Sequence, residues 1–272
     1  MGSSARQRRD IILTELYEKK EVTASSLTDI LSVSEATVRR DLRTLAEAGQ
    51  LELKYGGATL PQNRDLSYSS RAMRNVEAKR IIGQLAGQLV TEGDHVFVDS
   101  GTTCFELTPH LKRKRGVSVI ANSARLALEL DTPNLSVILL GGHYRPNRMD
   151  TVGPLANAAL DQLRGYTAFI GADGLSMEFG LTAADVESAF IFRLAVANAR
   201  QTVLTADHTK FLAPSLCKIV DWELISRVVT DRPPSQQWMD FLAERNIEVI
   251  FPEAKPTEAV GLERPTNNDG EG

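Results

Sequence analysis

Cysteine is nearly absent from this chain: Cys104 and Cys217 are the only two among 272 residues. They stand far apart, with no Cys-x-x-Cys or Cys/His spacing, which excludes a disulfide framework and argues against a zinc site. Histidine is as sparse, and His95, His110, His143 and His208 are scattered without ligand spacing, so no metal is expected. No apolar run approaches the ~20 residues of a membrane span, and the N-terminus has no apolar signal-peptide core. Strong charge of one sign is missing too, since 31 Lys and Arg face 35 Asp and Glu. These absences point to a soluble, cytoplasmic protein built on an ordinary hydrophobic core. Its length and 42% hydrophobic content leave room for two domains.

The charge is unevenly placed. Residues 1–80 carry 14 basic and 11 acidic side chains, against 17 and 24 in the remainder, a basic head on an acidic body. Within the head, "SVSEATVRRDLRTLAEAG" crowds Arg39, Arg40 and Arg43 into five residues. On a helix turning ~100° per residue, Val38, Leu42 and Leu45 form an apolar stripe, and the arginines fall opposite with Ala36, Thr37 and Thr44. Ser34 suits the N-cap, Glu35 the first turn and Gly49 the stop. Upstream, "RQRRDIILTELYEKK" reads as a helix turning Ile12, Leu13, Leu16 and Tyr17 inward, followed by a short helix near Ser25–Leu31 and a tight Ser32–Val33 turn. Downstream, "LELKYGGATL" alternates Leu51, Leu53 and Tyr55 and turns at Gly56–Gly57, which suggests a β-hairpin. Together these make an α+β winged helix-turn-helix over residues 1–60.

A solvated helix face normally mixes its signs. Clustered arginines that repel one another are accommodated where phosphates neutralise them and counterions are released. In a helix-turn-helix the second helix enters the major groove with its N-terminal half against base edges. That places Glu35, Ala36, Thr37 and Arg40 nearest the bases and Arg39, Arg43 and Lys54 nearer the backbone. Ser34 and the wing residues Tyr55 and Gly56 complete the expected DNA-binding set.

Residues 61–76 are polar and lack apolar periodicity, as an interdomain linker would, and a helix is expected from Val76 to about Leu89. Over 77–252, "HVFVDS", "VSVIANS", "LSVILLGG", "TAFIGADG", "TVLTADH", "RVVTD" and "IEVIFP" alternate with helical patterns. Near-continuous apolar strands separated by helices predict an α/β domain with a mostly parallel sheet covered on both faces. The tail 253–272 is polar and aperiodic, and is expected to be disordered.

Most of these runs end in polar or glycine residues: Asp99-Ser100-Gly101-Thr102-Thr103, Asn122-Ser123, Gly141-Gly142, Asp173-Gly174 and Asp207-His208. The C-terminal ends of parallel strands share one edge, where ligands bind. "DSGTT" leaves a strand and opens a helix, so its N–H groups and hydroxyls can cradle an anion. Lys210 in "ADHTKF" offers a point charge for a phosphate, and Asp99 and Glu187 can accept hydrogen bonds from hydroxyls. One anion and several hydroxyls describe a phosphorylated sugar or polyol.

"SVSEATVRRDLRTLAEAGQLELKYGGA" resembles the N-terminal signature of DeoR-type transcription regulators, through Ser34, Thr37, Arg39, Arg40, Asp41, Leu42, Leu45, Gly49, Gly56, Gly57 and Ala58. The resemblance runs from about Arg6 to Pro252, since "DSGTT", "ILLGG", "VGPLA", "FIGADGLS" and "TADHTKF" are similar to landmarks of that family's sensor domain. It implies a sensor fold like that of ribose-5-phosphate isomerase and an effector site at Asp99, Gly101, Thr102, Thr103, Gly141, Gly142, Asp173 and Lys210, beside the residue-level candidates Ser100, Asn122 and Glu187. One departure stands out: many members have Val-Lys-Arg where this chain has Ile191-Phe192-Arg193, which removes a possible second cation from the pocket.

The expectation is therefore a DNA-binding repressor of a carbohydrate-metabolism operon. It would bind double-stranded operator DNA as a homodimer or higher oligomer and be switched by a phosphorylated sugar or related derivative, with no catalytic residues and no cofactor. The alternative is a sugar-phosphate isomerase or deaminase with a DNA-binding appendage, using Asp99, Asp173 and Glu187 to move protons. A weaker reading is a ligand-independent architectural DNA binder.

Overall fold

The computed structural model describes residues 4–47, 51–59 and 67–253. Gly49, the side chain of Tyr17, the linker stretch 61–66 and the tail from 254 lie outside the described residues.

Three helices open the chain: α1 (Ala5–Lys19), α2 (Ala24–Leu31) and α3 (Glu35–Glu47). Ser4 and Gln7 form a capping box on α1, and Thr23 and Ser26 form another on α2. Ser32, at φ 51°, makes the tight turn into α3. Ile12, Leu16, Leu27, Val38, Leu42 and Leu45 close a small core. The wing is larger than expected. Beside β2 (Glu52–Lys54) and β3 (Gly57–Thr59), a strand β1 (Glu21–Thr23) gives the order β1-β3-β2, antiparallel throughout. Three residues are too few to show a period of two. A Cβ on Gly57 would lie 2.1 Å from the Val22 carbonyl oxygen, so the approach of β1 requires glycine there. The turn falls at Tyr55–Gly56, one residue earlier than expected, with Gly56 at φ +75°. Of the alternating trio, only Leu51 is buried; Leu53 and Tyr55 stand out into solvent.

The linker stretch holds an unanticipated helix, α4 (Tyr68–Ala72), capped by Ser67. Tyr68 is buried, its N–H donates to the Asn147 carbonyl at 2.7 Å, and its ring lies edge-on to Phe105 with centroids 6.2 Å apart. The Arg125 guanidinium sits over both rings, 4.9 and 4.8 Å from their centroids. A single aromatic in a polar run leaves no periodic signal.

Beyond it come α5 (Val76–Gln88), β4 (His95–Val98), α6 (Thr108–Leu111), β5 (Val117–Ala121), α7 (Ala124–Glu129), β6 (Leu135–Leu139), β7 (His143–Arg145), β8 (Asp150–Val152), α8 (Pro154–Leu160), β9 (Thr167–Ile170), β10 (Gly174–Ser176), β11 (Gly180–Ala183), α9 (Val186–Asn198), β12 (Gln201–Thr205), β13 (Cys217–Val220), β14 (Arg227–Val229), α10 (Gln236–Ala243) and β15 (Glu248–Ile250). All seven apolar runs enter one sheet, order β15-β14-β12-β9-β4-β5-β6, and every pairing in it is parallel. Val96 and Val98 pack with Ile82, Leu107, Leu111 and Leu126 on one face. Phe97 packs with Leu160, Ile191, Ala195 and Leu242 on the other. The sheet is thus covered on both faces, α5 to α7 on one and α8 to α10 on the other. Two small antiparallel additions were not anticipated, the β7–β8 hairpin and the sheet β10-β11-β13; their strands are too short and polar to announce themselves.

The chain leaves β4 toward β5 and β6 on one side and takes up β9, β12, β14 and β15 on the other. The strand order therefore reverses between β4 and β9, the place where sheets of this type hold ligands in a crevice at the strand C-termini.

Candidate nucleic-acid interface and anion site

Helix α3 turns Val38, Leu42 and Leu45 into the core and leaves Ala36, Arg39, Arg40 and Arg43 exposed. Ser34 caps it: the Thr37 N–H meets Ser34 Oγ at 3.4 Å, and the Ser34 and Thr37 hydroxyls are 3.0 Å apart. Arg39 Nη2 pairs with Glu35 Oε1 at 2.7 Å, so this arginine is held along the helix by its i−4 neighbour. In the wing, Lys54 lies 3.4 Å from Glu21 while Tyr55 projects fully from the hairpin tip next to Gly56. The sequence reading missed the partner of Asp41. This carboxylate turns inward and accepts from Arg8 Nε at 2.8 Å, tying α1 to α3. Its position on the Val38–Leu42 side of the helix was the available signal.

At the sheet crevice, Asp99 follows β4 and is buried. Its Oδ1 accepts from the Gly101 N–H and its Oδ2 from the Gly171 N–H, so one carboxylate bridges the tips of β4 and β9. Burial pushes its pKa up, against these two donors. Thr102 and Thr103 are buried as the loop enters a short 3-10 helix. Ser100 Oγ donates to Asp150 Oδ2 at 3.1 Å. Asn122 Nδ2 donates to the Thr151 carbonyl at 3.2 Å, while Asn122 Oδ1 is buried without a partner. Gly141 and Gly142 are exposed after β6. Asp173 Oδ2 accepts from the Ala184 N–H at 2.8 Å, and its Oδ1 lies 3.8 Å from Arg71. Lys210 is half-buried in the turn after β12, where Asp207 accepts from the Thr209 N–H at 2.9 Å and from Asn75 Nδ2 at 3.3 Å.

Glu187 reaches the Ser100 end of this loop only through Arg145 and Asp150. It is 3.6 Å from Arg145 in a network in which Arg145 grips Asp150 through two bonds of 2.8 and 2.7 Å and reaches Asp185 at 2.8 Å.

The sequence reading missed a buried lysine. Lys79 on α5 is 5% exposed, and its Nζ donates to the Arg71 carbonyl at 2.5 Å. Its pKa is pushed down to about 8, first by burial and then by Lys210, Arg71 and Arg74, with Asp207 opposing. Burial also lowers Arg74, to about 10. Lys79 falls inside the helix expected from Val76, where a lysine among polar neighbours gives no sign of burial. Phe192, which replaces the lysine common in the resembling family, is buried in the core. Its neighbour Arg193 donates to the Ile219 and Lys218 carbonyls at 2.9 and 2.7 Å. Charge at the crevice therefore comes from α4, α5 and the β12 turn. Among the described residues, no group of three or more His, Cys, Asp or Glu is placed to hold a metal, and no helix is long and apolar enough to cross a membrane.

Crowded cations beside hydrogen-bonding carboxylates suit a ligand with one anionic group and several hydroxyls.

Residues 8–64 match the DeoR-like helix-turn-helix domain, and residues 74–232 match the DeoR C terminal sensor domain. The HTH-type transcriptional regulator GlpR of Haloferax volcanii is 34% identical over 233 residues, 85% of this chain and 91% of that protein. The HTH-type transcriptional repressor GlcR of Bacillus subtilis is 32% identical over 253 residues, 91% of this chain and 96% of that one. Among solved structures, a ribose 5-phosphate isomerase A from Methanocaldococcus jannaschii is 17% identical with a TM-score of 0.37, covering 50% of this chain and 54% of its own. The chain belongs to the DeoR family of helix-turn-helix transcriptional regulators.

Proposed function

We propose that this regulator acts in the cytoplasm as the repressor of a carbohydrate-metabolism operon. Residues 1–60 bind operator DNA, with Arg40 reading base edges and Arg39, Arg43, Lys54 and the wing tip on the backbone. Residues 77–252 bind a phosphorylated sugar or related derivative, and paired half-sites call for at least two copies. The observation that carries the effector assignment is the group of Lys79, Arg71, Arg74 and Lys210 gathered beside Asp99 and Asp207 at the sheet crevice. Phosphate sits among the cations, and the carboxylates with Asn122 receive the hydroxyls. A thermal-shift screen of sugar phosphates against their unphosphorylated counterparts tests it. A shift for a phosphorylated member and none for its parent sugar supports the reading, and equal response to both refutes it.

The enzyme alternative has one observation in its favour, a buried lysine held near pKa 8, poised to move a proton. Turnover of sugar phosphates by the purified chain would install that reading instead.

A further inference from the structure

The run Lys112-Arg113-Lys114-Arg115 takes no part in the crevice. It precedes β5, so it lies at the N-terminal edge of the parallel sheet, the end away from Asp99 and Asn122. Two bonds pin this loop: the Gly93 N–H donates to the Arg115 carbonyl at 3.1 Å, and the Gly116 N–H to the Asn134 carbonyl at 2.9 Å. Lys112 pairs with Glu129 at 2.5 Å, whereas Arg113, Lys114 and Arg115 form no ion pair with a described residue. Helix α6 is a single turn, and its summed peptide dipoles are too small to explain four cations after it.

A notch of 470 Å³ opens beside them, between α5 and the end of α6. Gln84 and Gln88, one turn apart on α5, form one wall, and His110, Arg113 and Lys114 form the other. The walls meet at Gly87, where a Cβ would lie 2.4 Å from the His110 Cβ, so glycine is what lets the imidazole lie against α5. Glu92 is the one acid in the lining. Burial first, then Arg113 and Lys114, lower the pKa of the half-buried His110, and an anion in the notch would reverse that direction.

We propose that this notch binds the phosphoryl group of a small metabolite, as a second anion site independent of the crevice. Arg113 offers a fork and Lys114 a point charge to the phosphate oxygens, the two glutamine amides add neutral donors, and His110 supplies a third cation once it takes up a proton. The volume is that of a small-molecule site, about 300–1,000 Å³. Donors converging on a notch from two elements suit a compact anion better than the long face of a duplex. The DNA-binding head also enters the domain at the other end, through α4, whose Arg71 lies 3.8 Å from Asp173 beyond the tip of β9.

NMR of the full chain with isotope-labelled histidine tests this, since only four imidazoles contribute and His110→Gln assigns the signal. Inorganic phosphate is titrated at constant ionic strength. The His110 signal is expected to move saturably and its pKa to rise by about one unit, with potassium chloride producing neither change. The double change Arg113→Ala with Lys114→Ala abolishes the response and leaves the circular dichroism spectrum alone, while Lys79→Met, which disables the crevice, leaves the response intact. An unsaturable response, or one matched by chloride, overturns the proposal, and so does its loss in Lys79→Met, which would put the phosphate in the crevice. A lower salt slope of operator binding in the Arg113/Lys114 double variant would assign this face to DNA instead. A silent His110 in a chain whose crevice still binds a sugar phosphate rejects the notch and leaves the effector reading standing.

Discussion

Arg8 Nε sits 2.8 Å from Asp41 Oδ2, across the junction of α1 and α3, with both side chains largely buried. The acidic residue inside an arginine-rich helix is thus a tether that fixes how the basic face is presented. Asp41→Ala leaves a buried guanidinium without this carboxylate and is expected to cost about 3 kcal/mol, the lower end for a broken buried pair. The double change Asp41→Leu with Arg8→Met recovers most of that loss. Chemical denaturation of the two variants checks both statements, and a double variant no more stable than Asp41→Ala contradicts them.

Arg40 and Arg43 are one helical turn apart but have different expected partners. Arg40→Ala weakens operator binding by about 1–3 kcal/mol and relaxes discrimination between sequences, as the loss of a bidentate guanine contact does. Arg43→Ala weakens all DNA alike and lowers the salt slope by about 1. Fluorescence anisotropy on operator and scrambled duplexes over a salt series separates the two.

How much of this was legible beforehand depended on the length of each signal. The stripe of Val38, Leu42 and Leu45 repeats over two turns, and the seven sheet runs are continuous apolar stretches, so helix α3 and the large sheet could be read directly. Strand β1, the β7–β8 hairpin and α4 rest on three to five residues each, too few for a period. The crevice was half-visible for the same reason. Asp99 and Lys210 lie in motifs at strand ends, whereas Arg71 lies in the short helix α4 and Lys79 among polar neighbours on α5, neither in a motif.

Tyr68 is the residue whose loss should unfasten α4. Tyr68→Ala removes a fully buried ring and its contacts with Phe105 and Arg125, at a cost of about 3–5 kcal/mol. Arg125→Ala costs less, about 0.5–2 kcal/mol, the range of a cation–π contact. Thermal melts of the two variants rank them, and a larger loss for Arg125→Ala reverses the assignment.

Lys79 makes stability depend on alkaline pH in a defined direction. Its folded pKa of about 8 lies below the ordinary 10.5, so between those values the unfolded chain binds more protons, and stability rises with pH across that window. Lys79→Met lacks this rise. An anion seated beside Lys79 favours its charged form, so binding takes up a proton and weakens as pH climbs above about 8. Titration calorimetry of a binding sugar phosphate in buffers of different ionisation enthalpy reads the uptake. Zero proton uptake at pH 8 would detach the ligand from this lysine.

The most direct measurement combines both halves of the molecule: anisotropy of a labelled operator bound to the full chain, titrated with a sugar phosphate that shifts the wild-type melt. The wild type is expected to change its operator affinity as ligand is added. Lys79→Met and Lys210→Met are expected to hold the DNA as tightly as ligand-free wild type and ignore the sugar phosphate. An undiminished response in both variants would place the switch somewhere other than the crevice between β4 and β9.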